Sequence, residues 1–248
     1  MSGHSKWHNR IHRKARQDAK RGAIYSKLGK EIYIAARSGG PDPLANTRLR
    51  MAVERARQAA VPAENIRRAI ERGAGAGDTD YEELLYEGYG AGGAAVLVAV
   101  QTDNRNRTAG DIRYIFSRNG GNLGEAGCVA WMFEKRGLLI IDRQEEPEVS
   151  EERVLVAALD AGAEDVRAEE DSFSVITAVE DLDLVRNQME ASGLHFADGE
   201  VAMLPKTTIP LSSKDAEQLN RMIELLEDHE DVSAVYTNAD DGGEPENS

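Results

Sequence analysis

The chain reads as an α+β protein, and three observations predict it. Apolar residues recur at helical spacing through residues 24–70, in three runs joined by short connections. Residues 137–204 follow the order βαββαβ, one split-βαβ unit of ferredoxin-like type. The strands before and after that unit are too few on either side to make a sheet of their own. Combined, they give a second βαββαβ-like domain with the first set into its middle. The expected architecture is therefore an N-terminal three-helix domain followed by two ferredoxin-like α+β domains, one inserted in the other.

Each element has a local reason. Ile24, Leu28, Ile32 and Ala35 share one face of the first helix, which the run Gly39-Gly40-Pro41-Asp42-Pro43 stops. Asn46 or Thr47 caps the second helix, with Leu49, Val53, Ala56 and Ala60 facing inward. Pro62 suits the first turn of the third, where Ile66 and Ile70 face inward and Gly73 is the expected stop. Arg50, Arg57, Arg67, Arg68 and Arg72 fall off these faces and are expected on the surface. Residues 73–80, GAGAGDTD, read as a linker.

The next elements are a buried strand at 94–100, a helix at 107–118 with Ile112, Ile115 and Phe116 as its face, and a strand at 128–133. A strand at 138–141, a helix at 150–160, two strands at 165–168 and 173–177, a helix at 182–191 and a strand at 200–204 make the inserted unit. Ser212 or Ser213 caps a last helix with the face Leu219, Met222, Ile223 and Leu226, before a final strand at 232–236. The domains predicted are a basic helical one with its N-terminal arm at 1–78, a discontinuous central one at 79–133 plus 205–237, and an inserted one at 134–204. An acidic tail at 238–248 is expected to be disordered.

Charge is the first guide to function. The chain carries −14 overall, which by itself argues against nucleic acid. Its distribution reverses that inference. Residues 1–77 hold 17 Lys+Arg and 6 Asp+Glu, a net of +11, and residues 78–248 hold 13 and 38, a net of −25. A basic lobe on an acidic body engages a polyanion in one orientation only. The densest stretch is GHSKWHNRIHRKARQDAKRG at 3–22, with Lys6, Arg10, Arg13, Lys14, Arg16, Lys20 and Arg21 against Asp18 alone. So many cations cannot form a domain interior, because burying each unpaired charge costs several kcal/mol.

Other constellations are weaker. His4, His8 and His12 would align on a helix, but the surrounding cations oppose a metal dication, so no metal is expected. Gly88, Gly90 and Gly93 match G-x-G-x-x-G in GYGAGG, yet they precede a strand instead of opening a helix, so no dinucleotide is expected. In TDNRNRT at 102–108, Asp103 or Asn104 caps a helix, and Arg105 and Arg107 lie near its positive end, where anions are favoured. The loop NGGNLG at 119–124 either approaches an RNA backbone or simply turns. His195 and His229 read as isolated residues.

No Ser–His–acid, Cys–His or phosphate-loop arrangement is evident, so no enzyme activity, cofactor or small-molecule substrate is expected. Cys128 is the sole cysteine, no apolar run approaches the roughly 18 residues of a membrane helix, and no apolar run follows the basic start. These features lead to the expectation of a cytoplasmic, monomeric protein away from membranes.

GHSKW at 3–7, HRK at 12–14, RQDAKRG at 16–22, YEGYG at 86–90, TDNRNRT at 102–108, NGGNLG at 119–124 and VAWMF at 129–133 together resemble the YebC family. That family includes the mitochondrial translational activator of cytochrome c oxidase. The resemblance implies the same three-domain α+β layout. On function it implies either of two things: a DNA-binding transcriptional regulator, or a ribosome-associated translation factor that eases synthesis through difficult stretches such as consecutive prolines. The first reading here is the translation factor. Lys6, Arg13, Lys14, Arg16, Lys20 and Arg21 would lie on ribosomal RNA phosphates, with His12, Arg105 and Arg107 adding contacts. Trp7 would stack on a base or pack against the helical domain. DNA binding is the alternative, and a protein–protein adaptor is the third reading.

Overall fold

The computed structural model describes residues 21–75 and 81–240. Three helices come first: α1 at Arg21–Gly39, α2 at Thr47–Gln58 and α3 at Ala63–Ala74. Their shared core is Ile32, Ala35 and Ala36 of α1, Leu49, Ala52, Val53 and Ala56 of α2, then Val61 and Ile66. The many alanines let helix backbones approach closely. Asn46 ties two helix ends together. Its Oδ1 accepts from the Leu49 N–H at 3.0 Å, while its Nδ2 donates to the carbonyls of Ala35 and Gly40, each at 2.8 Å. One side chain thus satisfies orphan groups at the start of α2 and the end of α1.

Two expectations fail in this layer. Ala60 is exposed, not inward, because α2 ends two residues earlier and Ala60 turns the chain with φ 59°. Val61 takes the buried place. Gly73 does not stop α3. It lies within the helix, and a Cβ there would sit 2.4 Å from the Tyr33 carbonyl, so glycine is required for α1 and α3 to touch.

The central sheet has the order β3-β1-β2-β9, with β1 at Glu82–Tyr89, β2 at Ala95–Thr102, β3 at Asn122–Leu123 and β9 at Val232–Thr237. Each adjacent pair is antiparallel. One face of β2 presents Val96, Val98 and Val100. Against it pack Ile112 and Phe116 of α4 (Arg105–Arg118) and Leu219, Met222, Ile223 and Leu226 of α7 (Ser213–Asp228). A short parallel pair joins β8 (Ile209–Pro210) to β10 (Ala239–Asp240).

This element order differs from the expected βαββαβ-like one. A β1–β2 hairpin opens the sheet, where no strand is expected before residue 94. Gly88 lies inside β1 because a Cβ there would meet the Asn122 carbonyl at 2.5 Å and Phe116 at 2.7 Å. The strand expected at 128–133 is instead a bend and a 3₁₀ turn at Ala130–Met132. Two of its amides are already taken: Glu87 accepts from Val129 and Ala130, and from Gly127 just before them, which leaves them unavailable to a ladder.

The inserted unit runs β4 (Phe133–Asp142), α5 (Glu151–Ala161), β5 (Asp165–Ala168), β6 (Ser172–Thr177), α6 (Leu182–Ala191) and β7 (Asp198–Pro205). Its sheet order is β5-β6-β4-β7, the ferredoxin-like arrangement, with β4–β6 and β5–β6 antiparallel. The sheet buries Leu139, Ile141, Phe173 and Val175, and the helices bury Val154, Ala158, Val185 and Met189. The fold is α+β, as expected. The chain divides into two compact units, residues 134–203 being one and the flanking parts the other, so the three-helix layer and the central sheet share a unit.

Candidate nucleic-acid interface

Of the residues expected to bind nucleic acid, Lys6, Trp7, His12, Arg13, Lys14, Arg16 and Lys20 lie outside the described residues, as do His4 and His8. Arg21 opens α1, so the basic stretch continues directly into the first helix. Arg105 and Arg107 are described, and their fates differ.

TDNRNRT wraps around a buried carboxylate. Asn104 caps α4, its Oδ1 accepting from the Arg107 N–H at 3.1 Å. Thr102 Oγ1 accepts from the Asn104 N–H at 2.9 Å. Asp231, just before β9, has a side chain only 2% exposed. Its Oδ1 accepts from Lys30 Nζ at 2.7 Å. Its Oδ2 accepts from Thr108 Oγ1 at 2.7 Å, Arg107 Nη2 at 3.0 Å and Thr102 Oγ1 at 3.2 Å. Burial alone would raise the Asp231 pKa. The donors Lys30, Thr108 and Arg107 outweigh it and hold the carboxyl well below its ordinary value.

The hub joins α1 to the sheet. Lys30 also donates to the carbonyl of Gln101 at 2.9 Å, and Lys27 donates to the carbonyls of Glu227 at 2.5 Å and Val232 at 3.0 Å. His229 belongs here too: Nδ1 accepts from the Asp231 N–H at 3.1 Å, and Nε2 lies 3.3 Å from Asp111. Sequence reading had treated it as isolated. Arg107 faces three carboxylates, Asp231 at 3.0 Å, Asp103 at 3.2 Å and Glu230 at 3.8 Å. Its charge is spent on the fold. The Arg105 side chain is exposed and has no carboxylate partner among the described residues. The two neighbouring arginines are thus placed differently, Arg107 engaged by Asp231 and Arg105 exposed.

A second buried carboxylate explains two more motifs. Glu87 of YEGYG accepts from the N–H groups of Gly127 at 2.6 Å, Ala130 at 2.7 Å and Val129 at 2.8 Å. Burial raises its pKa, and these three amides more than reverse the effect, leaving it lowered. Tyr89 Oη and Trp131 Nε1 each donate to the Cys128 carbonyl at 3.2 Å. YEGYG and VAWMF therefore form one stapled loop that holds Trp131 65% exposed. The NGGNLG loop turns and packs: a Cβ on Gly121 would sit 2.7 Å from the Tyr89 carbonyl, and Gly120 has φ 71°.

The helical arginines are largely self-neutralised. Arg67 pairs with Glu64 at 2.8 Å and Glu71 at 2.9 Å, and Arg68 reaches Glu64 at 3.7 Å. Arg48 pairs with Glu83, and Arg55 with Glu31. Arg72 lies over the Tyr33 ring at 5.8 Å, Arg50 is half-buried and Arg57 is exposed. Arg57, Arg67, Arg68 and Arg72 thus lie on the surface as expected, with Arg67 and Arg68 paired to acids, while Arg50 is partly covered. Among the described residues, no cluster of His, Cys, Asp and Glu suits a metal ion, and no helix is long and apolar enough to cross a membrane.

With this geometry in hand, the chain can be compared with known proteins. The TACO1/YebC N-terminal domain matches residues 5–76, and the TACO1/YebC second and third domain matches residues 81–239. A "Probable transcriptional regulatory protein" of Desulforamulus reducens is 54% identical over 96% of this chain and 98% of its own length. A protein of the same description from Pelotomaculum thermopropionicum is 53% identical, over 96% and 98%. The crystal structure of a conserved hypothetical protein, Aq1575 from Aquifex aeolicus, superposes with a TM-score of 0.84 at 40% identity, covering 93% of this chain and 95% of that one. The chain belongs to the TACO1/YebC family.

Proposed function

We propose that this protein is a nucleic-acid-binding regulator of gene expression that acts as a ribosome-associated translation factor. In this reading the stretch from Lys6 to Arg21 engages ribosomal RNA and relieves stalling at difficult sequences such as consecutive prolines. The observation that carries the reading is charge segregation. Residues 1–77 hold a net +11 on a body of −25, while many cations of the described helices are bound to neighbouring carboxylates. In sequence, positive charge is densest ahead of α1, where residues 1–20 hold six Lys and Arg against Asp18 alone. Such a segment suits irregular RNA, where phosphate contacts and aromatic stacking by Trp7 combine.

The relatives' description favours a second reading, a transcriptional regulator on DNA. Against it stands α3. A helix that reads a major groove presents uncompensated polar side chains to base edges, whereas Arg67 and Arg68 of α3 are held by Glu64 and Glu71. The test is Lys14→Glu combined with Arg16→Glu in the full chain. Ribosome co-sedimentation is expected to be lost while the circular dichroism spectrum is unchanged. Co-sedimentation at the wild-type level would remove the arm from its assigned place.

A further inference from the structure

Helix α4 stands out from the acidic body that carries it. Four of the thirteen Lys and Arg residues of positions 78–248 fall within its fourteen residues: Arg105, Arg107, Arg113 and Arg118. It has one acid, Asp111, which faces His229. Arg107 belongs to the Asp231 hub, but Arg105, Arg113 and Arg118 are exposed and have no carboxylate partner among the described residues.

The inward side of the helix is Thr108, Ile112 and Phe116. By the 100° step of a helix, Asn106, Gly110, Tyr114 and Ser117 form the outward crest, with Arg113 on one flank and Arg118 on the other. Tyr114 is 61% exposed, and the Arg118 guanidinium lies 5.7 Å from its ring centre. Gly110, one turn before Tyr114, carries no side chain, and a Cβ there would meet nothing within 4 Å. The crest is thus open beside the ring. An ordinary solvated face on this body would carry acids among its bases, as α7 does with Lys214, Asp215, Glu217, Arg221 and Glu224. On α4 the one acid, Asp111, lies on the Arg118 flank, 3.3 Å from His229 Nε2.

We propose that this crest is a second nucleic-acid contact, with Tyr114 stacking on a base of single-stranded RNA and Arg113 and Arg118 on the flanking phosphates. The proposal rests on the nucleic-acid reading above and extends it from the arm to the central sheet domain. Aromatic stacking flanked by cations is how single strands are held without sequence preference. The arm and this helix are mechanically linked. Thr108 of α4 and Lys30 of α1 bind the same Asp231, and Arg21, where the arm meets α1, lies only about 14 Å along that helix from Lys30.

The test uses the full chain and a labelled, unstructured RNA of about 20 nucleotides, with anisotropy titrations across a salt series. Tyr114→Ala should weaken binding about tenfold, and Tyr114→Trp should restore it. Arg113→Glu with Arg118→Glu should lower the slope of log affinity against log salt by about 1.4. All these side chains are exposed, so thermal unfolding should not shift. Unchanged affinity and slope in the α4 variants, with binding lost in Lys14→Glu/Arg16→Glu, would overturn this proposal and leave the arm's assignment standing. Wild-type binding that is flat in salt would overturn both. Losses confined to duplex DNA would overturn the choice of single-stranded RNA.

Discussion

Glu87 and Asp231 are both buried carboxylates of the central sheet domain, and opposite means keep each of them charged. Glu87 is held by three backbone amides from the segment 127–130, all neutral dipoles of one nearby loop. Asp231 is held by an ammonium, a guanidinium and two hydroxyls, and its donors come from α1, β2 and α4. Amides are fixed to the backbone, so they shape the chain locally. Long cationic side chains reach across, so they join elements remote in sequence. Glu87 therefore sets where Trp131 is presented, whereas Asp231 sets how the helix that follows the basic arm is anchored to the sheet.

The contrast can be broken by substitution. The largest effect is expected from Asp231→Ala, which strands a Lys30 ammonium only 12% exposed. Urea unfolding should show a loss of about 3–5 kcal/mol, as for other buried pairs cut on one side. Glu87→Gln keeps the shape but replaces one acceptor oxygen with a donor that faces amide N–H groups. A smaller loss of about 1–3 kcal/mol is expected. In a Trp7→Phe background, the anisotropy of Trp131 emission should also fall as its loop loosens.

Acid sharpens the same contrast. Both carboxyls are lowered in the folded protein, Asp231 from 3.8 and Glu87 from 4.5. A lowered folded value means the unfolded chain takes up protons first. The stability each group contributes is present above its unfolded value and is lost as pH falls through the folded one. Stability should therefore decline below about pH 4.5, and the decline should be flatter in Asp231→Asn than in Glu87→Gln. A wild-type profile that matches both variants from pH 5 to 2, to within about 0.5 kcal/mol, would contradict the assignment.

The smallest effect separates two arginines within one motif. Arg105→Ala should leave unfolding unchanged and lower the RNA salt slope by about 0.7. Arg107→Ala should do the reverse, destabilising the fold without moving the slope, because its guanidinium is engaged by Asp231.

These expectations also mark what the linear sequence conveys. Helix α6 and the inward face of α7 lie where apolar spacing put them, since a residue and its helical neighbours are adjacent in sequence. The inserted sheet was legible for the same reason. Strand β1 was not, because glycine is a poor strand former locally and the reason for Gly88 is Phe116 and Asn122 across the fold. The strand expected at 128–133 failed because Glu87, some 40 residues away, takes two of its amides. Arg107 looked like a phosphate ligand because Asp231 is 124 residues distant. Lone buried acids leave little trace in composition. A hint lay in TDNRNRT itself, where two threonines flank a capped turn that needs an inward acceptor.

Crosslinking in cells, followed by sequencing of the attached nucleic acid, tests the central claim most directly. Ribosomal RNA is expected, with the yield falling sharply in Lys14→Glu/Arg16→Glu. Recovery of promoter DNA without ribosomal RNA would contradict that claim.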